Sequence, residues 1–224
     1  KTSLEFGITG SGKTEAYLTC VKDVVDQNKQ ALLLVPEISL TSQLYQQFEA
    51  RFGNRVLVLH SGLSPAKKRK AKAQILQQHV DVVIGPRSAL FCPFANLKLI
   101  ILDEEHESSY KQDQNPRYLS HVVAKKLAKL WKAHLVYGSA TPSLETFLDV
   151  PKHATFKLNS RINQQKRPTM ELIDTENTSE HSGFFLSHHS IKALKNCLAK
   201  KEKALIFINR RGFAPSLTCQ RCQA

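Results

Sequence analysis

Eight residues near the start of the chain read Gly7-Ile8-Thr9-Gly10-Ser11-Gly12-Lys13-Thr14 and match the pattern GxxxxGK[ST] at every fixed position. An apolar run, residues 3–8, leads into them, and a helix-like stretch begins at Lys13. Glycines permit the positive φ angles that turn consecutive backbone N–H groups toward one phosphate, and a helix N-terminus adds partial positive charge. The pattern therefore predicts a phosphate-binding loop for ATP, in which Lys13 reaches the β- and γ-phosphates and Thr14 ligates Mg²⁺. A glycine-rich turn without a ligand is the simpler alternative.

Downstream of this loop, continuous apolar runs alternate with helix-like stretches. Buried strands are predicted at residues 31–35, 56–59, 82–84, 99–102 and 134–137, and helices lie between them around residues 44–52 and over residues 65–77 and 119–131. Strands that are apolar along their whole length and separated by helices are typical of a parallel sheet covered on both faces. We therefore predict that residues 1–150 form a doubly wound, mostly parallel α/β domain of the P-loop NTPase class.

The periodic pattern weakens after residue 150. Residues 151–186 are interpreted as a connector with one short strand at residues 170–173. A helix over residues 191–203 and a buried strand over residues 204–208 are then predicted, so we interpret residues 187–224 as the truncated start of a second lobe. The chain has no initiator methionine and stops inside a cysteine motif, and we interpret it as part of a longer protein.

A second motif, Asp103-Glu104-Glu105-His106, follows the apolar run at residues 99–102. Open α/β sheets bind ligands at the carboxyl ends of their strands, which is where this motif falls. We expect Asp103 to hold the Mg²⁺ shell and Glu104 to orient and polarise the attacking water. Lys13, Asp103 and Glu104 are therefore the candidate catalytic residues. An acidic surface cluster at a strand end is the alternative.

The net charge of the chain is +13, from 32 Lys and Arg against 19 Asp and Glu. A basic surface concentrates polyanions, which admits nucleic acid as a partner. A solvated basic face on an ordinary enzyme would give the same charge. No apolar run approaches the roughly 18 residues that a membrane helix needs, so no membrane partner is predicted.

The order Asp-Glu-x-His is also the signature of superfamily 2 helicases, and further stretches resemble that superfamily. Gly138-Ser139-Ala140-Thr141-Pro142 resembles the element that couples hydrolysis to strand movement. Val35-Pro36-Glu37-Ile38-Ser39-Leu40-Thr41 and Gly85-Pro86-Arg87-Ser88-Ala89 resemble strand-end segments that contact the nucleic-acid backbone, and their hydroxyl, N–H and guanidinium groups suit phosphates. The resemblance implies a RecA-like lobe. The coupling and DNA-contact residues that it implies in these motifs are His106, Ser139, Thr141 and Arg87.

Longer stretches resemble the PriA family of replication-restart DNA helicases (primosomal protein N′). They are residues 103–112, Arg87-Ser88-Ala89-Leu90-Phe91 and Asn209-Arg210-Arg211-Gly212-Phe213-Ala214-Pro215. The resemblance implies an ATP-dependent 3′-to-5′ helicase motor of primosome assembly in the bacterial cytoplasm. The implied partners are single-stranded and forked DNA, other primosome proteins and the single-stranded-DNA-binding protein. In that family an aromatic-rich loop after the Asp-Glu-x-His motif links single-strand binding to hydrolysis, a role that would fall here on Tyr110, Lys111, Gln112, Arg117 and Tyr118.

Apart from the resemblance, aromatic residues interleaved with basic ones suit stacking on unpaired bases, at about 1–3 kcal/mol per base. An exposed loop with two incidental tyrosines is the alternative. The chain departs from the family at Pro86, where threonine is usual, and at Leu119-Ser120-His121, where His-Ala-Arg is common. Proline lacks a backbone N–H, so a phosphate contact at Pro86 is weakened, and one basic contact is missing at the second site.

Cys219-Gln220-Arg221-Cys222 resembles the first zinc-binding cysteine pair of the family, and the resemblance implies a structural Zn²⁺ in the full-length protein. A structural zinc site needs four ligands. A redox pair is the alternative, but no thioredoxin-like pattern surrounds it. For the whole chain, another superfamily 2 DNA translocase or a non-hydrolysing ATP-binding switch are the competing interpretations. We expect the isolated chain to bind Mg-ATP weakly and hardly to hydrolyse it, because two-lobed motors need an arginine from the second lobe.

Overall fold

A computed structural model describes residues 1–36, 42–162, 169–173 and 186–207. Two compact units divide the chain, Lys1–Lys166 and Arg167–Ala224. The strands of the first unit are β1 (Thr2–Gly7), β2 (Gln30–Leu34), β3 (Val56–Val58), β4 (Val82–Gly85), β5 (Leu97–Asp103), β6 (Lys111–Gln112), β7 (Tyr118–Leu119), β8 (His134–Ser139) and β9 (Thr155–Leu158). Its α-helices are α1 (Lys13–Val25), α2 (Ser42–Phe52), α3 (Pro65–Leu76), α4 (Ser120–Trp131) and α5 (Leu144–Asp149). In the second unit the described residues form α6 (His188–Ala199).

Seven strands form one sheet in the order β3-β4-β2-β5-β8-β1-β9, and every neighbouring pair is parallel. All residues of β2 and β4 are buried, because helices cover both faces of the sheet. The strands β6 and β7 form a separate antiparallel pair. The prediction of a doubly wound, mostly parallel α/β fold is confirmed.

The two faces of the sheet carry separate cores because successive strand residues point to opposite sides. On one face Leu32 and Leu34 of β2 pack with Ile75 of α3 and with small residues of α4. On the other face Leu33 packs with Val21 of α1 and with the helix α2. Each fully buried leucine contributes about 1.5–3 kcal/mol, so the sheet is held from both sides. This packing fixes where the carboxyl ends of the strands lie.

Helix starts follow local capping rules. Ser64 precedes α3, its hydroxyl accepts a hydrogen bond from the Lys67 N–H at 3.4 Å, and Pro65 takes the first helical position, where a missing N–H costs nothing. Ser143 caps α5 in the same way, with the Thr146 N–H as donor at 3.3 Å. In the described ranges, no helix is both long and apolar enough to cross a membrane.

The structure differs from the sequence prediction after residue 139. The helix α5 was not predicted, and the segment interpreted as connector contains β9, which pairs with β1 at the sheet edge. Residues 170–173 and 204–207, predicted as strands, are not strands and are largely exposed, and no described strand pairs with them. Ile208 and residues 37–41 and 209–224 lie outside the described residues, and so do Cys219 and Cys222.

Candidate active site

The loop between β1 and α1 has its conformation set by glycines. Gly10 and Gly12 have φ angles of 78° and 94°, in the left-handed region that side chains disfavour. The Ser11 N–H donates to the Ile8 carbonyl oxygen at 3.0 Å, which closes the turn. At Gly7 a Cβ would lie 2.5 Å from Ser11 Oγ, so the loop folds back too closely for a side chain there. The predicted phosphate loop thus stands between a strand and a helix, as its pattern requires.

Lys13 opens α1 and keeps its ammonium against the loop. Its Nζ donates to the Gly7 carbonyl oxygen at 3.1 Å and lies 3.5 Å from Glu104 Oε1. Its side chain is only 10% exposed. An ammonium has three donors, so these two contacts leave capacity for an anion in the cavity beside it. The N-terminus of α1 adds partial positive charge at the same place.

A cavity of about 1170 Å³ lies beside the loop. Its lining unites the two motifs, with residues 8–14 on one side and Asp103 and Glu104 at the end of β5 on the other. The third wall consists of Gln43, Gln47 and Arg51 of α2, which the sequence analysis did not single out. Their spacing of four places them on one stripe of the helix, and that polar stripe was the signal that could have found them.

Asp103 lies largely buried at the carboxyl end of β5. Its Oδ1 accepts a hydrogen bond from the Tyr17 hydroxyl at 2.8 Å. Burial raises the pKa of Asp103, and the bond from Tyr17 and the charge of Lys13 only partly counter that rise. A divalent cation at this carboxylate would favour its ionised form, which suits the predicted Mg²⁺ ligand.

Glu104 has a φ of 46°, unusual for a residue with a side chain. Its carboxylate borders the cavity, with Oε1 3.5 Å from Lys13 Nζ and Oε2 3.7 Å from His106 Nδ1. Such backbone strain concentrates at functional sites, where it aims a side chain. The geometry fits the predicted water-orienting role, and the role itself stays a prediction.

A third carboxylate, Glu5 on β1, was not predicted. It is 7% exposed, and its Oε1 has no hydrogen-bond partner within the described part of the chain. Burial raises the pKa of Glu5 to about 7, against the lowering effect of Lys13 and with a further rise from Asp103. A glutamate within the apolar run of β1 is the sequence feature that could have indicated this buried carboxylate.

The Asp-Glu-x-His and Ser-Ala-Thr motifs meet directly. His106 Nδ1 lies 2.7 Å from Ser139 Oγ, and the Thr141 N–H donates to the same oxygen at 3.0 Å. The two motifs begin at the ends of the adjacent strands β5 and β8, so this contact joins the carboxyl ends of the two strands. This contact supports the coupling roles predicted for the three residues without testing them.

Glu105 has four hydrogen-bonding contacts and is 1% exposed. Its carboxylate accepts from the Ser143 N–H at 2.7 Å and from the Ser143 and Thr146 hydroxyls at 3.0 Å and 2.8 Å, and lies 3.0 Å from His121 Nε2. Burial would raise the pKa of Glu105, but these bonds outweigh it and hold that pKa below its ordinary value. Glu105 therefore ties the motif to α4 and α5. His121 lies at one of the positions where this chain departs from the His-Ala-Arg that is common in the family.

The coupling loop, residues 107–119, contradicts one prediction. Tyr110 is 1% exposed, and its hydroxyl donates to the carbonyl oxygens of Leu34 at 3.0 Å and Asp103 at 2.6 Å. A ring buried in this way cannot stack on a base, so the stacking role expected of Tyr110 is corrected. Tyr110 instead anchors the loop beneath the site, because its apolar ring completes the core while its one hydroxyl proton is shared between two backbone carbonyl oxygens.

The other predicted DNA contacts are distributed unevenly. Arg87 donates to the backbone oxygens of Ser109 and of Lys111, so its guanidinium braces the coupling loop. Tyr118 is partly exposed and packs edge-to-face on Phe91, at 5.1 Å between ring centroids. Phe91 is 57% exposed and was not predicted as a contact. Four residues that were predicted as DNA contacts border a cavity of about 520 Å³ on the coupling loop: Lys111, Gln112, Arg117 and Tyr118.

The residues present fit a magnesium-bound nucleoside triphosphate. Gly10 and Gly12, both with positive φ, border the cavity together with Lys13. Within the described residues no group of three or more His, Cys, Asp or Glu could hold a metal by itself. Mg²⁺ requires no such group, because it takes one or two protein ligands together with phosphate oxygens. Thr14 and Asp103 would supply them.

Comparison with known proteins places the chain. Residues 6–150 match the DEAD/DEAH box helicase family. Replication restart protein PriA of Bacillus subtilis (strain 168) is 42% identical over 225 residues, which cover 99% of this chain and 28% of that protein. The protein of the same name from Rickettsia felis is 40% identical over 224 residues, which cover 99% and 35%. The chain thus spans about a third of the length of the curated relatives it matches.

Solved structures share the fold. The Pyrococcus furiosus Hef helicase domain has a TM-score of 0.51 and 21% identity, and the match covers 70% of this chain and 34% of that one. The DUF1998 helicase MrfA bound to DNA and AMPPNP has a TM-score of 0.50 and 21% identity, over 72% and 25%. At such identity these likenesses show the fold alone. The family match and the identity to the restart proteins show that the chain belongs to the DEAD/DEAH box helicases, in the group of replication restart protein PriA.

Proposed function

We propose that this chain is the ATP-binding motor lobe of an ATP-dependent 3′-to-5′ DNA helicase that acts in primosome assembly and replication restart. One observation carries the proposal: the phosphate loop with Lys13 and the carboxylates Asp103 and Glu104 border the same cavity. The similarity to PriA relatives over 99% of the chain supports the role in replication restart. Single-stranded and forked DNA are the proposed substrates.

Bound ATP supplies the phosphoanhydride bond whose hydrolysis drives the motor. The loop N–H groups and Lys13 would bind the phosphates, and Thr14 and Asp103 would hold Mg²⁺, which would neutralise phosphate charge. Lys13 Nζ and Glu104 Oε1 lie 3.5 Å apart. When Lys13 turns to the phosphates, the Glu104 carboxylate loses that partner and becomes available to orient a water.

Hydrolysis is coupled to DNA through the contacts around Glu104. His106 links Glu104 to the Ser139 hydroxyl, which also accepts from the Thr141 N–H. Glu105, the next residue in the chain after Glu104, is hydrogen-bonded to residues of α4 and α5. The coupling loop runs directly into α4, and Ser120 at the start of α4 donates to the Tyr110 carbonyl oxygen at 2.7 Å. A strand held by the coupling loop would therefore shift the segment that carries Glu104.

Further parts of the proposal rest on the resemblance to the PriA family alone. Other primosome proteins and the single-stranded-DNA-binding protein are the proposed protein partners, and the cytoplasm is the proposed compartment. In the full-length protein Cys219 and Cys222 are proposed as two of four ligands to a structural Zn²⁺. Metal analysis of that protein and of its Cys219→Ser variant would test the zinc assignment.

The decisive experiment measures ATP hydrolysis by the full-length protein with and without single-stranded DNA. We expect stimulation by DNA, and we expect Lys13→Ala to abolish hydrolysis because it removes the phosphate contact. Unwinding of duplexes with only a 3′ or only a 5′ tail then tests direction. ATP binding without any DNA stimulation would contradict the motor and leave a nucleotide switch, and unwinding from the 5′ tail would contradict the polarity.

A further inference from the structure

The helix α3 carries charge of one sign. Five of its residues are basic and none is acidic, namely Lys67, Lys68, Arg69, Lys70 and Lys72. Pairs of like charge three and four residues apart repel each other and destabilise a helix. No Asp or Glu within the described part of the chain forms an ion pair with any of the five. Among the described residues their positive charge is therefore not neutralised by a carboxylate.

Two of these lysines border a groove. Ala71 and Ile75 are buried under α3 and define its inner side. Lys68 and Lys72 lie on one flank and line a cavity of about 370 Å³, which we call the α3 groove. Lys67 and Lys70 lie on the other flank and do not line it. The helix thus divides its lysines into a groove pair and an outer pair.

The opposite wall of the α3 groove combines polar side chains with Leu59 and Leu63 and has no carboxylate. It consists of residues that follow β3, including His60 and Ser61, and residues that follow β4, including Ser88 and Cys92. Lys68 Nζ donates to the Ser61 carbonyl oxygen at 3.2 Å, which holds that ammonium at the groove. Two ammonium groups, two hydroxyls and an imidazole, with no competing anion, are the chemistry that binds phosphate oxygens.

The position of the groove favours a nucleic-acid strand as the source of those phosphates. It lies at the carboxyl ends of β3 and β4, on the same edge of the sheet as the nucleotide cavity at the ends of β1 and β5. Lys68 and Lys72 are one helical turn apart, about 5–6 Å between Cβ atoms, so each can contact its own phosphate oxygen. Arg87, the cation predicted for this contact, is bonded to the coupling loop.

We propose that the α3 groove binds the phosphodiester backbone of a single nucleic-acid strand, with Lys68 and Lys72 as its cationic contacts and Ser61 and Ser88 as hydroxyl donors. This inference extends the proposed function and rests on it, because it assigns part of the DNA track to a helix outside every motif. Phosphate contacts of this kind position the strand and do not read its sequence. Binding at the groove is therefore independent of base identity.

The test is the salt dependence of binding of a fluorescein-labelled oligothymidylate to the full-length protein, without nucleotide. Each phosphate contact on a single strand contributes about 0.7 to the slope of log K against log salt, so Lys68→Ala with Lys72→Ala should lower the slope by about 1.4. Lys67→Ala with Lys70→Ala removes the same charge from the same helix and should leave the slope nearly unchanged. Alanine favours helix, so both variants keep α3.

Equal slope changes in the two double variants would overturn the proposal, because they would show diffuse attraction to the whole helix. An unchanged slope in both would overturn it as well. Inorganic phosphate provides a further arm: if it binds wild type more tightly than the groove variant while their DNA slopes agree, the groove holds small anions and the strand assignment is wrong. ATP hydrolysis is measured separately. If DNA does not stimulate turnover but the two double variants still differ in slope, the motor function is contradicted and the groove proposal stands.

Discussion

The nucleotide cavity and the coupling loop use polar side chains in different ways. In the cavity, Lys13 and Glu104 contact each other at 3.5 Å, and the Ser11 hydroxyl has no partner among the described residues. Beneath the coupling loop, Tyr110 and Arg87 are bonded to backbone carbonyl oxygens. The cavity keeps hydrogen-bonding capacity for a ligand, whereas the coupling loop is braced from inside. A braced loop can transmit a displacement, since it moves as one piece.

The neighbours Glu104 and Glu105 show the same contrast within one motif. The Glu104 side chain is 29% exposed and borders the cavity, and the Glu105 side chain is wholly buried and bonded to α4 and α5. The Glu104 carboxylate faces the cavity, whereas the Glu105 carboxylate holds the motif against α4 and α5. Substitutions at the two positions should therefore affect different measurements.

The largest expected effect is on turnover in the full-length protein. Glu104→Gln keeps the shape of the side chain but removes the carboxylate proposed to orient water, so DNA-stimulated hydrolysis should fall about 10²- to 10⁴-fold. Binding of a fluorescent ATP analogue should persist. Glu107→Gln, which removes the same charge outside the cavity lining, is the control. If the substitution reduced binding of the ATP analogue and turnover to the same extent, Glu104 would have a structural role instead.

The next effect is on stability. Glu105→Ala leaves His121, Ser143 and Thr146 without their shared acceptor, and we expect the free energy of unfolding to fall by about 3 kcal/mol. Glu104→Ala, the matched substitution one residue away, should change it by less than about 0.5 kcal/mol, in line with substitutions of weakly bonded groups. Thermal melting of both variants compares them. Similar melting temperatures would break the distinction between the two glutamates.

Glu5 makes the stability of the cavity region depend on pH. Its pKa is about 7 in the folded chain against an ordinary 4.5, so between these pH values the folded state holds the proton more tightly. Stability should therefore decrease as pH rises through this window, by on the order of 3 kcal/mol, and stay low above it. Glu5→Gln should remove the decrease in metal-free buffer. A wild-type melting temperature that rises from pH 5 to pH 7 in step with the variant would contradict this.

The smallest effect distinguishes the two tyrosines of the coupling loop. Tyr118→Ala removes a partly exposed ring and should weaken single-stranded DNA binding by about 1–3 kcal/mol, with little change in melting temperature. Tyr110→Phe keeps the buried ring and loses the hydroxyl proton that two carbonyl oxygens share, so it should lower stability by about 1–2 kcal/mol. Anisotropy titration and melting of both variants give the comparison. A Tyr110→Phe protein that melts like wild type but binds DNA poorly would restore the contact role of Tyr110.

The phosphate loop and the parallel sheet could be predicted because both follow from local sequence. Gly10 and Gly12 occur where φ must be positive, and the apolar runs at β2 and β5 are long enough to be buried on both faces. Lys13, Asp103 and Glu104 come together because their motifs end on strands of one sheet edge. Motif spacing carries this information without any knowledge of tertiary packing.

The buried groups could not be predicted in the same way. Tyr110 and Tyr118 look alike in sequence, and only the short turn Ser108–Tyr110 carries the first ring inward. Tyr17 reaches Asp103 across 86 positions of the chain. Glu5 gains its raised pKa from burial beneath the loop, which depends on the whole fold. Contacts between distant segments leave no periodic signal.

The sheet order also decides when the nucleotide loop can form during synthesis. β1 is made first in this segment, yet it pairs with β8 and β9, where Leu4 lies opposite Tyr137 and Thr155. Contacts this far apart in sequence close late, and the emerging β1 must wait on the ribosome for more than a hundred residues. ATP can stabilise only a chain that has already placed β1 in the sheet. The proposed nucleotide binding would therefore mark the completion of this lobe and give no assistance to its early folding.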